Sequence, residues 1–143
     1  RASRFGFWCA SRTFLRTLMQ SFRKLLIWQE AKALSVKIYA ISDKMPHEEK
    51  FGLISQIRRA IVSVSSNIAE GAGRSSKKDF SNFLHIAQGS LFEVQSQLDL
   101  AFTLFPAIMT PVQFKTIDSE ISFLAIKIRK FIESLEKTCA ERT

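Results

Sequence analysis

Apolar side chains recur along most of this chain at alternating intervals of three and four residues, in four separate stretches. An average spacing of 3.5 residues keeps these side chains on one face of an α-helix, so each stretch predicts an amphipathic helix. In chain order the apolar positions are Ile27, Ala31, Leu34, Ile38, Ile41 and Met45; Ile54, Ile57, Ile61, Val64 and Ile68; Phe80, Leu84, Ala87, Leu91, Val94, Leu98, Ala101 and Phe105; and Phe114, Ile117, Ile121, Leu124, Ile128, Phe131 and Leu135. Four such helices joined by short breaks predict an all-α, antiparallel, up-down-up-down four-helix bundle.

The breaks between the stretches contain residues that commonly end and begin helices. Gly71 and Gly73 follow the second stretch, where glycine can adopt the left-handed conformation that closes many helices. Ser76–Asp79 and Thr110–Gln113 have the spacing of a capping box, which marks a helix N-terminus. We therefore expect helices at about 22–44, 48–71, 77–105 and 111–137.

Composition agrees with one globular domain, but the two ends of the chain differ from the rest. Apolar residues make up 46% of the 143 residues and charged residues 24%, which is globular rather than disordered composition. Residues 1–18 contain four arginines and no acid, so half of the net charge of +8 lies there. We interpret residues 1–21 as an extension from upstream read-through or an expression vector, 22–137 as the bundle, and 138–143 as a tail.

Candidate chemistry is sparse. Cys9 and Cys139 stand at opposite ends of the chain, and there is no Cys-x-x-Cys motif, so neither a disulfide framework nor a zinc site is indicated. His47 and His85 have no nucleophile or carboxylate at motif spacing, and no Glu-x-x-His pair of a di-iron bundle occurs. We expect no catalytic residues, no metal, no cofactor and no membrane span, and we expect a cytoplasmic protein.

Residues opposite the apolar stripes suggest contacts with other molecules. Small and polar side chains share the outer face of the second helix, a glycine interrupts the third, and apolar residues lie outside the stripe of the fourth. The predicted interface residues are Ser63, Ser66, Glu70, Gly89, Phe123 and Ile126. This pattern favours a homo-oligomer, although scattered surface apolar residues without a partner are also common.

Basic residues near both ends of the second helix are candidates for binding phosphates. They are Arg58, Arg59, Arg74, Lys77 and Lys78. The last three lie around the start of the third helix, where free backbone N–H groups favour anions. Arg58 and Arg74 are 16 residues apart, about 24 Å along a helix, so one patch requires neighbouring subunits. Ordinary solvated side chains are the alternative interpretation.

Several blocks in the second and third helices resemble a known family. The blocks are Phe51-Gly52-Leu53, Ser55-Gln56-Ile57-Arg58-Arg59-Ala60, Ser66-Asn67-Ile68-Ala69-Glu70-Gly71, Gly73 to Phe80, and Phe83 to Leu91. In this order they resemble the four-helix bundle proteins encoded by 23S rRNA intervening sequences, over roughly residues 22–137. One departure is Ser65, where the family often has proline.

The resemblance implies a bacterial, cytoplasmic bundle that assembles into a homopentameric ring and whose biochemical role is not established. The family is similar to the accessory variability determinant of diversity-generating retroelements, a basic pentamer that binds nucleic acid and a reverse transcriptase. Our first hypothesis is a non-enzymatic oligomer that binds RNA or DNA through its basic residues. The rival hypothesis is a structural or protein-partner module with no nucleic-acid role.

Overall fold

Four α-helices make up most of the part of the chain that the computed structural model describes, residues 22–140, and this part contains no strand. The helices are α1 (Leu26–Ser42), α2 (Leu53–Ala72), α3 (Lys77–Leu104) and α4 (Pro111–Ala140). Short 3₁₀ turns at Phe22–Lys24, His47–Phe51 and Pro106–Ile108 precede or join them. The predicted extension over residues 1–21 lies outside the described residues. The expected all-α class with four helices is confirmed.

The four predicted apolar stripes form the core. Every stripe position is buried or packs against the buried cluster, and Ile38, Ile61, Leu91 and Ile128 have no exposed surface. The core also includes residues outside the stripes, namely Ala60, Ile108, Met109, Ala125 and Ile132. Burial of an isoleucine or leucine side chain contributes roughly 1.5–3 kcal/mol. The removal of these side chains from water therefore accounts for the pairing of the four helices.

Both predicted helix caps are present, and the one at Thr110 forms the complete, reciprocal capping box. At the start of α3 the Ser76 hydroxyl accepts the backbone N–H of Asp79 at 3.0 Å. At the start of α4 the Thr110 hydroxyl accepts the N–H of Gln113 at 3.2 Å, and the Gln113 side-chain oxygen accepts the N–H of Thr110 at 2.9 Å. These hydrogen bonds satisfy N–H groups that have no partner within the helix.

The second helix begins five residues later than the prediction of residue 48. His47–Phe51 form a 3₁₀ turn, and the Glu49 carboxylate accepts the N–H of Leu53 at 3.0 Å, which caps α2. A Cβ on Gly52 would lie 2.6 Å from the same carboxylate oxygen. The side chain of Glu49 therefore caps the helix at this point because glycine leaves room for it.

Gly73 is the C-terminal cap of α2, as expected, but the left-handed conformation expected of Gly71 and Gly73 is wrong. No glycine among the described residues has a positive φ, and Gly73 ends α2 in a right-handed conformation with φ −84°. Gly71 is buried inside the last turn, where a Cβ would lie 2.7 Å from Phe80 Cδ2 and 2.8 Å from Phe83 Cβ. Glycine at this position thus permits close packing of α2 on α3 rather than a left-handed turn.

Polar side chains connect α4 to both α1 and α3. Lys37 of α1 donates to Glu120 of α4 at 2.6 Å, and Lys127 of α4 pairs with Glu30 of α1. Between α3 and α4, Gln95 donates to Asp118 at 2.7 Å and the buried Ser81 donates to Glu136 at 2.9 Å. In both helix pairs, residues with higher numbers on one helix contact residues with lower numbers on the other.

The close packing at Gly71 gives a test on stability. Gly71→Ala should lower the free energy of unfolding, because overpacking costs about 1–3 kcal/mol and outweighs the gain of about 1 kcal/mol that alanine brings to a helix. Gly73→Ala is the matched control, since a Cβ there has only ordinary contacts, the nearest at 3.5 Å. Urea unfolding followed by circular dichroism measures both variants. Equal stability of the two variants would contradict the packing role.

Candidate nucleic-acid interface

Arg58 is committed to contacts within its own chain. Its Nε donates to the Ser42 hydroxyl at 2.7 Å and its Nη2 to the Asp43 carboxylate at 2.5 Å. The guanidinium carbon also lies 4.7 Å from the centroid of the Tyr39 ring, within cation–π range. Arg58 therefore joins the start of α2 to the end of α1, and its charge is partly neutralised by Asp43.

Arg74 also has partners in its own chain. Its Nη2 donates to Glu70, four residues earlier, at 2.5 Å, and its guanidinium carbon lies 4.7 Å from the centroid of the Phe83 ring. Both side chains of the ion pair are about half exposed, so the pair contributes little to stability. The contacts nevertheless place the Arg74 guanidinium against α3. Because Glu70 offsets the charge of Arg74, the net positive charge near the start of α3 is lower than a count of the basic residues alone would give.

Arg59, Lys77 and Lys78 are exposed and form no ion pair with any residue in the range 22–140. Lys77 and Lys78 are the first two residues of α3, directly after the Ser76 cap. Arg59 lies near the other end of α2, 15 residues before Arg74, or about 22 Å along a helix axis. Within one chain the predicted basic residues therefore form two separate groups.

A surface hollow of about 640 Å³ lies beside the N-terminal half of α2. The charged residues that line it are Lys50, Arg58 and Arg59, and no carboxylate is part of the lining. Two aromatic residues also line it: Tyr39, which is 39% exposed, and Phe51, which is 89% exposed. The Lys50 ammonium lies 5.6 Å from the centroid of the Phe51 ring. The hollow thus combines positive charge with accessible aromatic surface.

The predicted interface residues on α2 and α3 occupy different environments. Ser63 is half-buried, and its hydroxyl lies 2.8 Å from that of Ser90 on α3. Its oxygen is therefore used within the chain. Ser66 and Glu70 are exposed, and Gly89 is exposed with no atom within 4 Å of a Cβ built on it. Open space at Gly89 means that α3 itself gives no packing reason for glycine.

Phe123 and Ile126 are both exposed on α4 but line different depressions. Phe123, 63% exposed, borders a groove of about 420 Å³ between α1 and α4, which the Lys37–Glu120 and Lys127–Glu30 pairs flank. Ile126, 49% exposed, lines a smaller depression between α3 and α4 together with Phe92, which is 50% exposed. The structure thus separates the two apolar residues into two surfaces.

No group of three or more His, Cys, Asp or Glu side chains within residues 22–140 could hold a metal ion. None of the helices in this range has both the length and the apolar character needed to cross a bilayer.

Sequence reasoning missed Lys50, Phe51 and Tyr39 as possible site residues. Phe51 gave no signal, because it lies three residues before Ile54, in phase with the second apolar stripe and inside the helix predicted at 48–71. Its exposure follows from the 3₁₀ turn at His47–Phe51. Tyr39 gave no signal either, since its proximity to Arg58 depends on how α1 and α2 meet.

Comparisons with known proteins agree with this architecture. The model of the 23S rRNA-intervening sequence protein family matches residues 23–130. A crystal structure of a protein of unknown function from the S23 ribosomal protein family of Bacteroides thetaiotaomicron is similar, with a TM-score of 0.65 and 23% identity, over 75% of this chain and 98% of that chain. No curated protein matches the sequence. The matched range shows that the chain belongs to the 23S rRNA-intervening sequence protein family.

Proposed function

We propose that this protein is a non-enzymatic, oligomeric four-helix bundle of the bacterial cytoplasm that binds RNA or DNA through exposed basic residues. Between α1 and α4, and between α3 and α4, residues with higher numbers on one helix contact residues with lower numbers on the other. This supports an antiparallel, up-down-up-down order of the helices. The family resemblance supports assembly into a homopentameric ring.

The observation that carries the nucleic-acid proposal is the uncompensated charge of Arg59, Lys77 and Lys78. These three side chains are exposed and lack a carboxylate partner within residues 22–140, so they can contact phosphates without breaking an ion pair. Arg58 and Arg74 would contribute less, because each is already paired. Phosphate contacts of this kind fix position without reading sequence.

Assembly explains how two basic groups that are separated along α2 could act together. A ring places the Lys77–Lys78 group of one subunit at a repeated interval from that of its neighbours, so the number of phosphate contacts grows with the number of subunits. The apolar surface formed by Ile126 and Phe92 between α3 and α4 is the part of the structure that favours such a contact. Gly89, one turn before Phe92, leaves space for a neighbouring backbone.

Salt dependence tests the nucleic-acid proposal. The logarithm of the binding constant for RNA should fall linearly with the logarithm of salt concentration between about 50 and 200 mM, because bound cations are released from phosphates. Arg59→Gln and Lys77→Gln should each weaken binding and lower the slope by roughly one. Fluorescence anisotropy with a labelled RNA measures both quantities.

Lys37→Gln is the matched control for this experiment. It changes the net charge by the same amount but removes a lysine that is already paired with Glu120, so it should leave the slope unchanged. A flat salt response, or equal effects of all three substitutions, would remove the proposal. Retained assembly together with a flat response would favour the rival hypothesis of a structural or protein-partner module.

Light scattering tests the assembly proposal. The unsubstituted protein should have the mass of several chains, and Ile126→Asp should reduce that mass because it places a charge in an apolar contact. Val112→Asp is the control, since Val112 is 76% exposed at the start of α4 and lines none of the depressions described above. A monomeric unsubstituted protein would contradict assembly.

A further inference from the structure

We propose that the hollow beside α2 binds unpaired nucleotides, with a base stacked on the exposed ring of Phe51 and the adjoining phosphates held by Lys50 and Arg59. The proposal rests on the proposed function and narrows it to single-stranded nucleic acid. It follows from the juxtaposition of accessible aromatic rings with cations in a lining that contains no carboxylate.

The exposure of Phe51 is the first argument. A phenylalanine that is 89% exposed loses the stabilisation that burial would give it, and Phe51 lies outside the apolar core cluster. The only ring contact of Phe51 within residues 22–140 is with the Lys50 ammonium, 5.6 Å from the ring centroid. Most of the ring surface is therefore available to a flat partner such as a nucleobase.

The charge around the ring selects the kind of partner. Lys50, Arg58 and Arg59 line the hollow, and Asp43, the ion-pair partner of Arg58, is not part of its lining. Arg59 has no ion-pair partner in residues 22–140. A partner must therefore offer negative charge as well as a flat apolar face, and a nucleotide offers both.

The shape of the hollow favours single strands over duplexes. It has a volume of about 640 Å³ and is a shallow depression open to solvent rather than an enclosed cleft. A strand could therefore lie across it with one base against the Phe51 ring. In a duplex the faces of the bases are covered by their neighbours in the stack, so only phosphates would remain accessible to Lys50 and Arg59.

Tyr39 provides a second ring at the same site. The Arg58 guanidinium stacks on it at 4.7 Å, and the hydrogen bonds of Arg58 to Ser42 and Asp43 hold that guanidinium in place. The Tyr39 ring is thus kept beside the hollow by contacts within the chain, and 39% of the residue stays exposed. A second base can stack on this fixed ring while its neighbour stacks on Phe51.

Fluorescence anisotropy with a labelled oligouridylate and with an RNA duplex of the same length, at matched salt, tests this inference. We expect Phe51→Ala to raise the Kd for the single strand about tenfold, because aromatic stacking is lost, and to leave the Kd for the duplex unchanged. Phe51→Trp should restore single-strand binding, and its tryptophan emission should be quenched by the oligouridylate beyond the response of Trp8 and Trp28 in the unsubstituted protein.

Leu104→Ala is the control. Leu104 is an exposed apolar residue at the end of α3 that lines neither the hollow nor any of the other depressions described above, so its removal should not affect binding to either RNA. Equal effects of Phe51→Ala on both RNAs, or no effect on either, would overturn the inference while leaving a salt-dependent proposed function intact. A loss of assembly in Phe51→Ala, seen by light scattering, would overturn it in favour of a contact with a second copy. Binding to neither RNA would remove both proposals.

Discussion

The burial of one apolar edge on each of four helices is the constraint on which the remaining structure depends. Because the stripe positions average 3.5 residues, each helix keeps the same face toward its neighbours over its whole length. Ile61 on α2, Leu91 on α3 and Ile128 on α4 are all fully buried. Every exposed residue discussed above takes its position from this arrangement, including Phe51, which is outside the core because the helical register has been interrupted before Leu53.

Sequence reasoning predicted the features that depend on local chemistry. The apolar stripes and the helix caps at Ser76 and Thr110 are local patterns, and each is present in the structure. The start of α2 was misplaced because Glu48 and Glu49 suit a helix N-terminus equally well in an α-helix and in a 3₁₀ turn. The choice between the two depends on Gly52, whose missing Cβ lets the Glu49 carboxylate reach the N–H of Leu53.

The candidate site was harder to predict because it depends on contacts between helices. Sequence reasoning gave five basic residues equal standing, whereas Arg58 is paired with Asp43 and Arg74 with Glu70. Along the sequence, Arg58 is 16 residues from Ser42 and 15 from Asp43. No sequence motif predicts a hydrogen bond at these separations. The same limit applies to Gly71, whose role follows from its proximity to Phe80 and Phe83 rather than from its place at the end of a helix.

The internal use of Arg58 changes what the hollow can do. If Arg58 were free, binding a phosphate would require an arginine side chain to become ordered, which has an entropic cost. Here that ordering has already occurred in the folded chain, through Ser42, Asp43 and the Tyr39 ring. A ligand therefore meets a preformed wall on the α1 side and two less constrained cations, Lys50 and Arg59, on the other. Such a division suits a strand in which one base stacks on the fixed Tyr39 ring, while the neighbouring base on Phe51 and the phosphates at Lys50 and Arg59 can adjust their positions.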